Sequence, residues 1–172
     1  MELGGKNPHI VFADADGDDS VDQVLTGVFL HSGQVCSAGT RLIIEESIAD
    51  RFVAALAARA EKIRMGNGLD PASRTGPLVS EAHREKVEKY VELGRSEGAA
   101  GDRGSPAVGS RVGEREFLPA TIFDHCDRTM RLVQEETFGP ILTVERFTTE
   151  EEALRLGNDT EYGLAAGVRT AD

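Results

Sequence analysis

Short runs of consecutive apolar residues alternate along the chain with stretches whose apolar positions recur at helical spacing. Residues 9–13, with Ile10, Val11 and Phe12 between Asn7-Pro8 and Asp14, have the form of a buried strand. Val21, Val24, Leu25, Val28 and Phe29 then fall at i, i+3, i+4, i+7 and i+8, which predicts a helix with one apolar stripe. Asp18, Asp19 and Ser20 suit its positive N-terminal end, and Ser32-Gly33 marks its stop. Residues 41–45 read as a second strand. Ser47 opens a helix whose inner face is Ile48, Phe52, Val53, Leu56, Ala60 and Ile63, with Asp50 placed as in a capping box.

Residues 65–77 are rich in Gly, Pro, Asn and Asp and have no period, so they predict a connection. A third helix is expected from about Ser80 to Glu97 with Val87, Tyr90 and Val91 inward. Residues 98–114 bury too little to order themselves, which predicts a surface loop between two hairpin strands. Residues 117–123, 130–133 and 141–147 look extended. Thr149 and Glu152 form a second capping box before a helix through Leu156, and residues 164–168 read as a last strand. Strands alternating with helices across short connections predict an α/β fold, a mostly parallel sheet with helices on both faces. Active sites of such sheets are expected at the carboxyl ends of the strands, and the chemistry-bearing motifs are assigned there.

Composition narrows the function. The 172 residues carry 30 acidic and 19 basic side chains, a net charge of −11 with pI near 4.8. Such a surface repels nucleic-acid phosphates and anionic lipid, so neither is an expected partner. No apolar run reaches the roughly 20 residues of a membrane span, and the polar start has no signal-peptide form, so the cytoplasm is the expected location. The length suits one domain spanning residues 1–172. Two cysteines, Cys36 and Cys126, stand far apart without CxxC or CxxH spacing, which argues against a disulfide framework or a metal site.

Cys36 lies in Ser32-Gly33-Gln34-Val35-Cys36-Ser37-Ala38-Gly39, a loop between helix and strand. Free backbone N–H groups in such a loop are able to stabilise an oxyanion formed at a carbonyl that the thiol attacks; the alternative is a small buried hydrophobe. Cys126 has only the second reading. Glu2, before Leu3-Gly4-Gly5-Lys6, reads either as a general base held in a cleft or as a solvated carboxylate near a chain end. Glu135-Glu136-Thr137-Phe138-Gly139-Pro140 places two carboxylates and an aromatic before a Gly-Pro turn, a pattern that taken alone more often marks a surface pair at a strand-to-loop junction.

Taken in order, Glu2-Leu3-Gly4-Gly5-Lys6-Asn7-Pro8, Gly33-Gln34-Val35-Cys36, Met65-Gly66-Asn67-Gly68, Gly76-Pro77-Leu78, Glu135-Glu136-Thr137-Phe138-Gly139-Pro140 and Asn158-Asp159-Thr160-Glu161-Tyr162-Gly163-Leu164 resemble the aldehyde dehydrogenase superfamily. The loop around Cys36 is most similar to that of betaine-aldehyde dehydrogenases. The resemblance implies an aldehyde-dehydrogenase-like catalytic domain in which Cys36 is the nucleophile and Glu2 the base that activates water against a thioester. It implies that Glu136 holds the nicotinamide ribose, that Phe138 and Leu3 lie by the nicotinamide, and that Val35 and Ser37 flank the aldehyde. His83 and Lys86, one helical turn apart, correspond to a polar pair reaching the same ribose, or else to a solvated helix face. His31 stands where many members carry Asn, and a helix-end role is expected for it.

No Gly-rich nucleotide-binding fingerprint occurs in these residues. The resemblance implies a cofactor-binding domain and an oligomerisation arm in the family, and both are expected to be absent from this chain. The expected function is the catalytic part of an NAD- or NADP-dependent enzyme oxidising an aldehyde to an acid, with betaine aldehyde a candidate substrate and a homo-oligomer the expected full-length form. By itself this part is expected to be inactive as a dehydrogenase and to bind the cofactor weakly. The competing readings are a non-catalytic scaffold relative and a cofactor-free thiol esterase.

Overall fold

Five apolar runs pair into one sheet. The computed structural model describes residues 3–99 and 117–172. Strands β1 (Pro8–Val11), β2 (Arg41–Glu45), β3 (Thr121–Phe123), β4 (Ile141–Phe147) and β5 (Gly167–Arg169) lie in the order β3-β4-β2-β1-β5. Every pairing is parallel, with Pro8 opposite Arg41 and Ile43 opposite Glu145. The helices are α1 (Asp18–Phe29), α2 (Glu46–Ala60), α3 (Glu81–Ser96), the single turn α4 (Arg131–Gln134) and α5 (Glu150–Gly157).

Alternation along the strands decides which helix covers which face. Val11, Leu42, Ile44, Leu142 and Val144 meet Val21, Val24 and Val28 of α1 and Phe52, Val53 and Leu56 of α2. Ile10, Ile43 and Phe147 meet Ala153 and Leu156 of α5 on the other face. A third cluster joins Val87 and Val91 of α3 to Leu132, Phe123, Ile141 and Leu78. Each fully buried aliphatic side chain among these contributes roughly 1.5–3 kcal/mol relative to exposure. One polar tie crosses the α5 face: Arg41 Nε donates to Glu145 Oε2 at 2.9 Å and Nη2 to the Leu156 carbonyl at 2.5 Å, all buried. It links β2, β4 and the end of α5.

The expected helices from Asp18, Ser80 and Thr149 form as read. Ser80 Oγ accepts the His83 N–H, and Thr149 Oγ1 accepts the Glu152 N–H. Three expectations need correction. Ser47 does not cap α2, which begins at Glu46; its hydroxyl donates to Glu45 Oε1, and Asp50 instead meets Arg146 Nη2 at 2.9 Å. Residues 130–133 are not extended, because the Glu97 carboxylate accepts the Arg131 and Leu132 N–H groups and nucleates α4. The last strand covers only Gly167–Arg169, since the Ala165 N–H is taken by the Asn7 side chain. Most of the loop expected at 98–114 lies outside the described residues.

Candidate active site

The candidate residues meet at the amino ends of the strands, which overturns the expected placement at the carboxyl ends. The connectivity explains this. β1 runs out, α1 runs back, and the α1–β2 loop carrying Cys36 therefore returns to the start of β1, where the Arg41 N–H donates to the Asn7 carbonyl at 3.2 Å. The 136–140 segment joins it because it leads into β4.

Three successive left-handed residues end α1: His31 (φ 51°), Ser32 (φ 59°) and Gly33 (φ 71°). Histidine, like asparagine, is enriched in this region over most residues, which gives His31 the helix-end role. At Gly33 a Cβ would collide with the Gly139 carbonyl, so glycine alone allows the α1 terminus to lie against the Gly139-Pro140 turn. Ser32 Oγ donates to the Gly76 carbonyl at 2.6 Å and accepts from Thr75 Oγ1 at 2.8 Å. Gln34 Oε1 accepts the Val79 N–H at 2.9 Å. The 75–79 connection thus braces the loop from one side.

Cys36 and Ser37 form the two corners of a turn closed by the Ala38 N–H on the Val35 carbonyl at 3.0 Å. Both corner residues are exposed and Val35 is half-buried, so Cys36 is not the small buried hydrophobe of the alternative reading. Asn7 lies under this turn. Its Nδ2 donates to the Cys36 carbonyl at 2.7 Å and the Ala38 carbonyl at 3.0 Å, and its Oδ1 accepts the Ala165 N–H at 3.0 Å. At Gly5 a Cβ would overlap the Cys36 carbonyl, and the Gly5 N–H donates to Glu136 Oε1 at 2.9 Å. Gly5 thereby sets the Cys36 turn and the Glu136 carboxylate on two sides of one backbone segment.

The Glu135-Glu136 pair divides its labour. Glu135 accepts Arg131 Nε at 2.7 Å and the Tyr90 hydroxyl at 2.9 Å, and the Arg131 guanidinium holds its carboxyl below the usual range. Burial, reinforced by the Glu135 carboxylate, pushes Tyr90 up to about 12. Glu136 keeps Oε2 without a partner among the described residues, near the backbone of Gly4 and the ring of Tyr162. Phe138 has a left-handed backbone (φ 55°), an outlier for an aromatic residue that costs on the order of 1–2 kcal/mol. His83 offsets it. Its Nε2 lies 2.7 Å from the Phe138 carbonyl, which only accepts, so Nε2 carries the proton, and the two rings meet edge to face at 5.9 Å. Lys86 is exposed, its ammonium 6.0 Å from the Tyr90 ring centre. Leu3 is exposed beside this region, whereas Glu2 lies outside the described residues.

Behind the site lies a buried polar cluster that the sequence did not announce. Lys6 is 1% exposed, and its Nζ has no partner among the described residues; Arg41 Nη1, Glu145 Oε1 and the Thr40 and Thr137 hydroxyls share that condition. Burial, followed by the Arg41 guanidinium, pulls Lys6 down to about 7. Asn7 was also missed as a site residue, since no local pattern reveals partners 29, 31 and 158 positions away. Among the described residues no cluster of His, Cys, Asp and Glu side chains is placed to hold a metal ion, and no helix is long and apolar enough to cross a membrane.

The parallel α/β sheet thus carries an exposed cysteine on a braced turn, next to a carboxylate anchored on a Gly-Gly backbone. Residues 1–172 match the aldehyde dehydrogenase family, and the chain belongs to that family. It is 53% identical over 177 residues to betaine aldehyde dehydrogenase of Bacillus subtilis (strain 168), covering 100% of this chain and 35% of that protein. Betaine aldehyde dehydrogenase of Mesorhizobium japonicum is 45% identical over 178 residues, covering 100% and 36%. The crystal structure of betaine aldehyde dehydrogenase from Staphylococcus aureus in complex with NAD+ superposes with a TM-score of 0.88 at 45% identity, covering 99% of this chain and 34% of that one. The chain thus spans about a third of the length of the curated relatives it matches.

Proposed function

We propose that residues 1–172 are the nucleophile-bearing domain of an NAD-dependent aldehyde dehydrogenase that converts an aldehyde, with betaine aldehyde the leading candidate, to its carboxylic acid. The observation that carries this reading is the exposed residue Cys36, on a turn whose carbonyls are held from below by Asn7. The relatives' names and the NAD+ complex of the Staphylococcus aureus enzyme support the choice of substrate and cofactor.

In this reading the Cys36 thiolate attacks the aldehyde carbonyl to give a thiohemiacetal. The developing oxyanion faces the backbone N–H groups of the turn. NAD+ supplies the hydride acceptor that takes this adduct to a thioester. Its nicotinamide end suits the residues present: Glu136 Oε2, which has no partner among the described residues, offers an acceptor for ribose hydroxyls, and Phe138 and Leu3 offer apolar surface. His83 contributes by holding the Phe138 main chain in its left-handed conformation, and Lys86 contributes positive charge on the outer face of α3. Glu2 then takes a proton from the water that hydrolyses the thioester, and Val35 and Ser37 border the acyl group. The remaining nucleotide contacts belong to segments outside these residues, and the homo-oligomeric, cytoplasmic whole protein is part of the same proposal.

The test is NADH formation from betaine aldehyde and NAD+ by the protein expressed with its flanking coding sequence. Cys36→Ala is expected to abolish turnover. Glu2→Gln is expected to release about one equivalent of NADH and then stall with an acyl group on Cys36, seen by mass spectrometry. Sustained turnover by Cys36→Ala would overturn the reading.

A further inference from the structure

We infer that Asn7 is the positioning residue of the nucleophile turn: its carboxamide sets the direction of the backbone N–H groups beside Cys36 without touching the thiol. This rests on the reading of Cys36 as a nucleophile. Asn7 is 3% exposed and three of its hydrogen bonds are made to main chain that is distant in sequence. Nδ2 bridges the Cys36 and Ala38 carbonyls, which brackets the second half of the turn. Oδ1 anchors the same side chain to Ala165 at the entry to β5. The carboxamide therefore spans the α1–β2 loop and the 158–165 segment, while its own backbone carbonyl holds Arg41 at the start of β2.

Peptide geometry converts this grip into an effect on chemistry. In a trans peptide the C=O and the following N–H point in opposite directions. With the Cys36 carbonyl drawn down onto Asn7, the Ser37 N–H is turned away from the buried carboxamide, toward the exposed side of the turn. Neither the Cys36 nor the Ser37 N–H has an acceptor among the described residues, so both stay open to an anion forming at the attacked carbonyl carbon. A turn free to rotate this peptide would present the carbonyl instead, and a carbonyl repels an oxyanion. Asn7 thus acts on the geometry of attack, whereas the exposure of the thiol is a property of the turn alone.

Two reactions at the same sulfur separate these effects. Attack of the Cys36 thiolate on p-nitrophenyl acetate forms a carbon–sulfur bond and expels p-nitrophenolate through an oxyanion. Alkylation by iodoacetamide displaces iodide and forms none. In Asn7→Leu a side chain of the same branched shape brings no charge near the thiol and makes none of these hydrogen bonds. Its acylation rate at Cys36 is expected to fall about tenfold, with alkylation of Cys36 within about twofold of wild type. Asn7→Ser, which keeps one donor, is expected to lose less and so partly to rescue the rate. Peptide mapping assigns both reactions, and protection of Cys126 reports the folded state. Acylation unchanged in a folded variant, a parallel fall in both reactions, or loss of the folded state in both variants would each overturn the inference. Absence of acylation at Cys36 in wild type would instead defeat the underlying reading, and this inference with it.

Discussion

Cys36 stands at the exposed corner of a turn, with open backbone donors beside it, whereas Cys126 packs against the cluster of Phe123, Leu132 and Val87 and gives its S–H to the Phe123 carbonyl at 3.3 Å. Burial is the main cause that pushes the Cys126 thiol up to about 12, and the Glu145 and Asp124 carboxylates add to it. One side chain serves twice, as a surface nucleophile candidate and as a piece of core. What differs is the backbone: after α1 the chain is forced outward by three left-handed residues, while Cys126 follows β3 and its N–H is engaged by the Val144 carbonyl at 2.9 Å. Reactivity of a thiol thus follows from solvation and backbone freedom, not from residue type.

The largest expected effect is the contrast in alkylation itself. At pH 8 a thiol held near 12 has roughly one ten-thousandth of its molecules as thiolate. Iodoacetamide is therefore expected to label the exposed Cys36 far faster than the buried Cys126, measured by peptide mass spectrometry over time. Comparable rates would break the comparison.

Burial acts on His9 as it does on Cys126, by disfavouring the charged form. His9 sits in β1 close to Gly27, Gly39 and Gly167, and desolvation, aided by Arg169, lowers it to about 4 from an ordinary 6.5. Between those values the unfolded chain binds the proton that the folded one refuses, so stability is full at pH 7 and is lost as pH falls from 6.5 toward 4. The expected loss is about 3 kcal/mol, because each tenfold weakening of proton binding is worth about 1.4 kcal/mol. Denaturant titrations of wild type and His9→Leu at pH 7 and pH 4 check this; equal pH dependence in the two would contradict it.

The smallest effect sharpens the comparison at the other cysteine. Gly5→Ala drives a methyl group into the Cys36 carbonyl and is expected to cost about 2 kcal/mol, lowering the melting temperature by about 4–8 °C. Acylation of Cys36 should fall with it while Cys126 keeps its protection. A variant with wild-type melting and acylation would show that the close approach does not support the turn.

Much of this was legible in the linear pattern. The stripe Val21, Val24, Val28 and Phe29 and the runs at Arg41–Glu45 and Ile141–Phe147 gave helix α1 and strands β2 and β4 with their observed bounds or nearly so, because burial on one helix face or both sheet faces imposes a period that survives in the sequence. Residues 130–133 misled because their apolar content suits either state, and the deciding contact, the Glu97 carboxylate, comes from 34 positions away.

The order and types of residues by themselves determined the family, the α/β architecture and the short list that includes Cys36, Glu136 and Phe138, since these follow from local periodicity and from motifs of adjacent residues. Tertiary structure alone decided that the site lies at the amino ends of the strands and that Asn7 holds the Cys36 turn. It alone decided that Lys6 is buried with its charged form disfavoured and that Glu135 braces α4 while Glu136 faces the candidate site. Each of these depends on contacts between segments many residues apart. Their free energy comes from desolvation and hydrogen-bond direction, which no local stretch of sequence encodes.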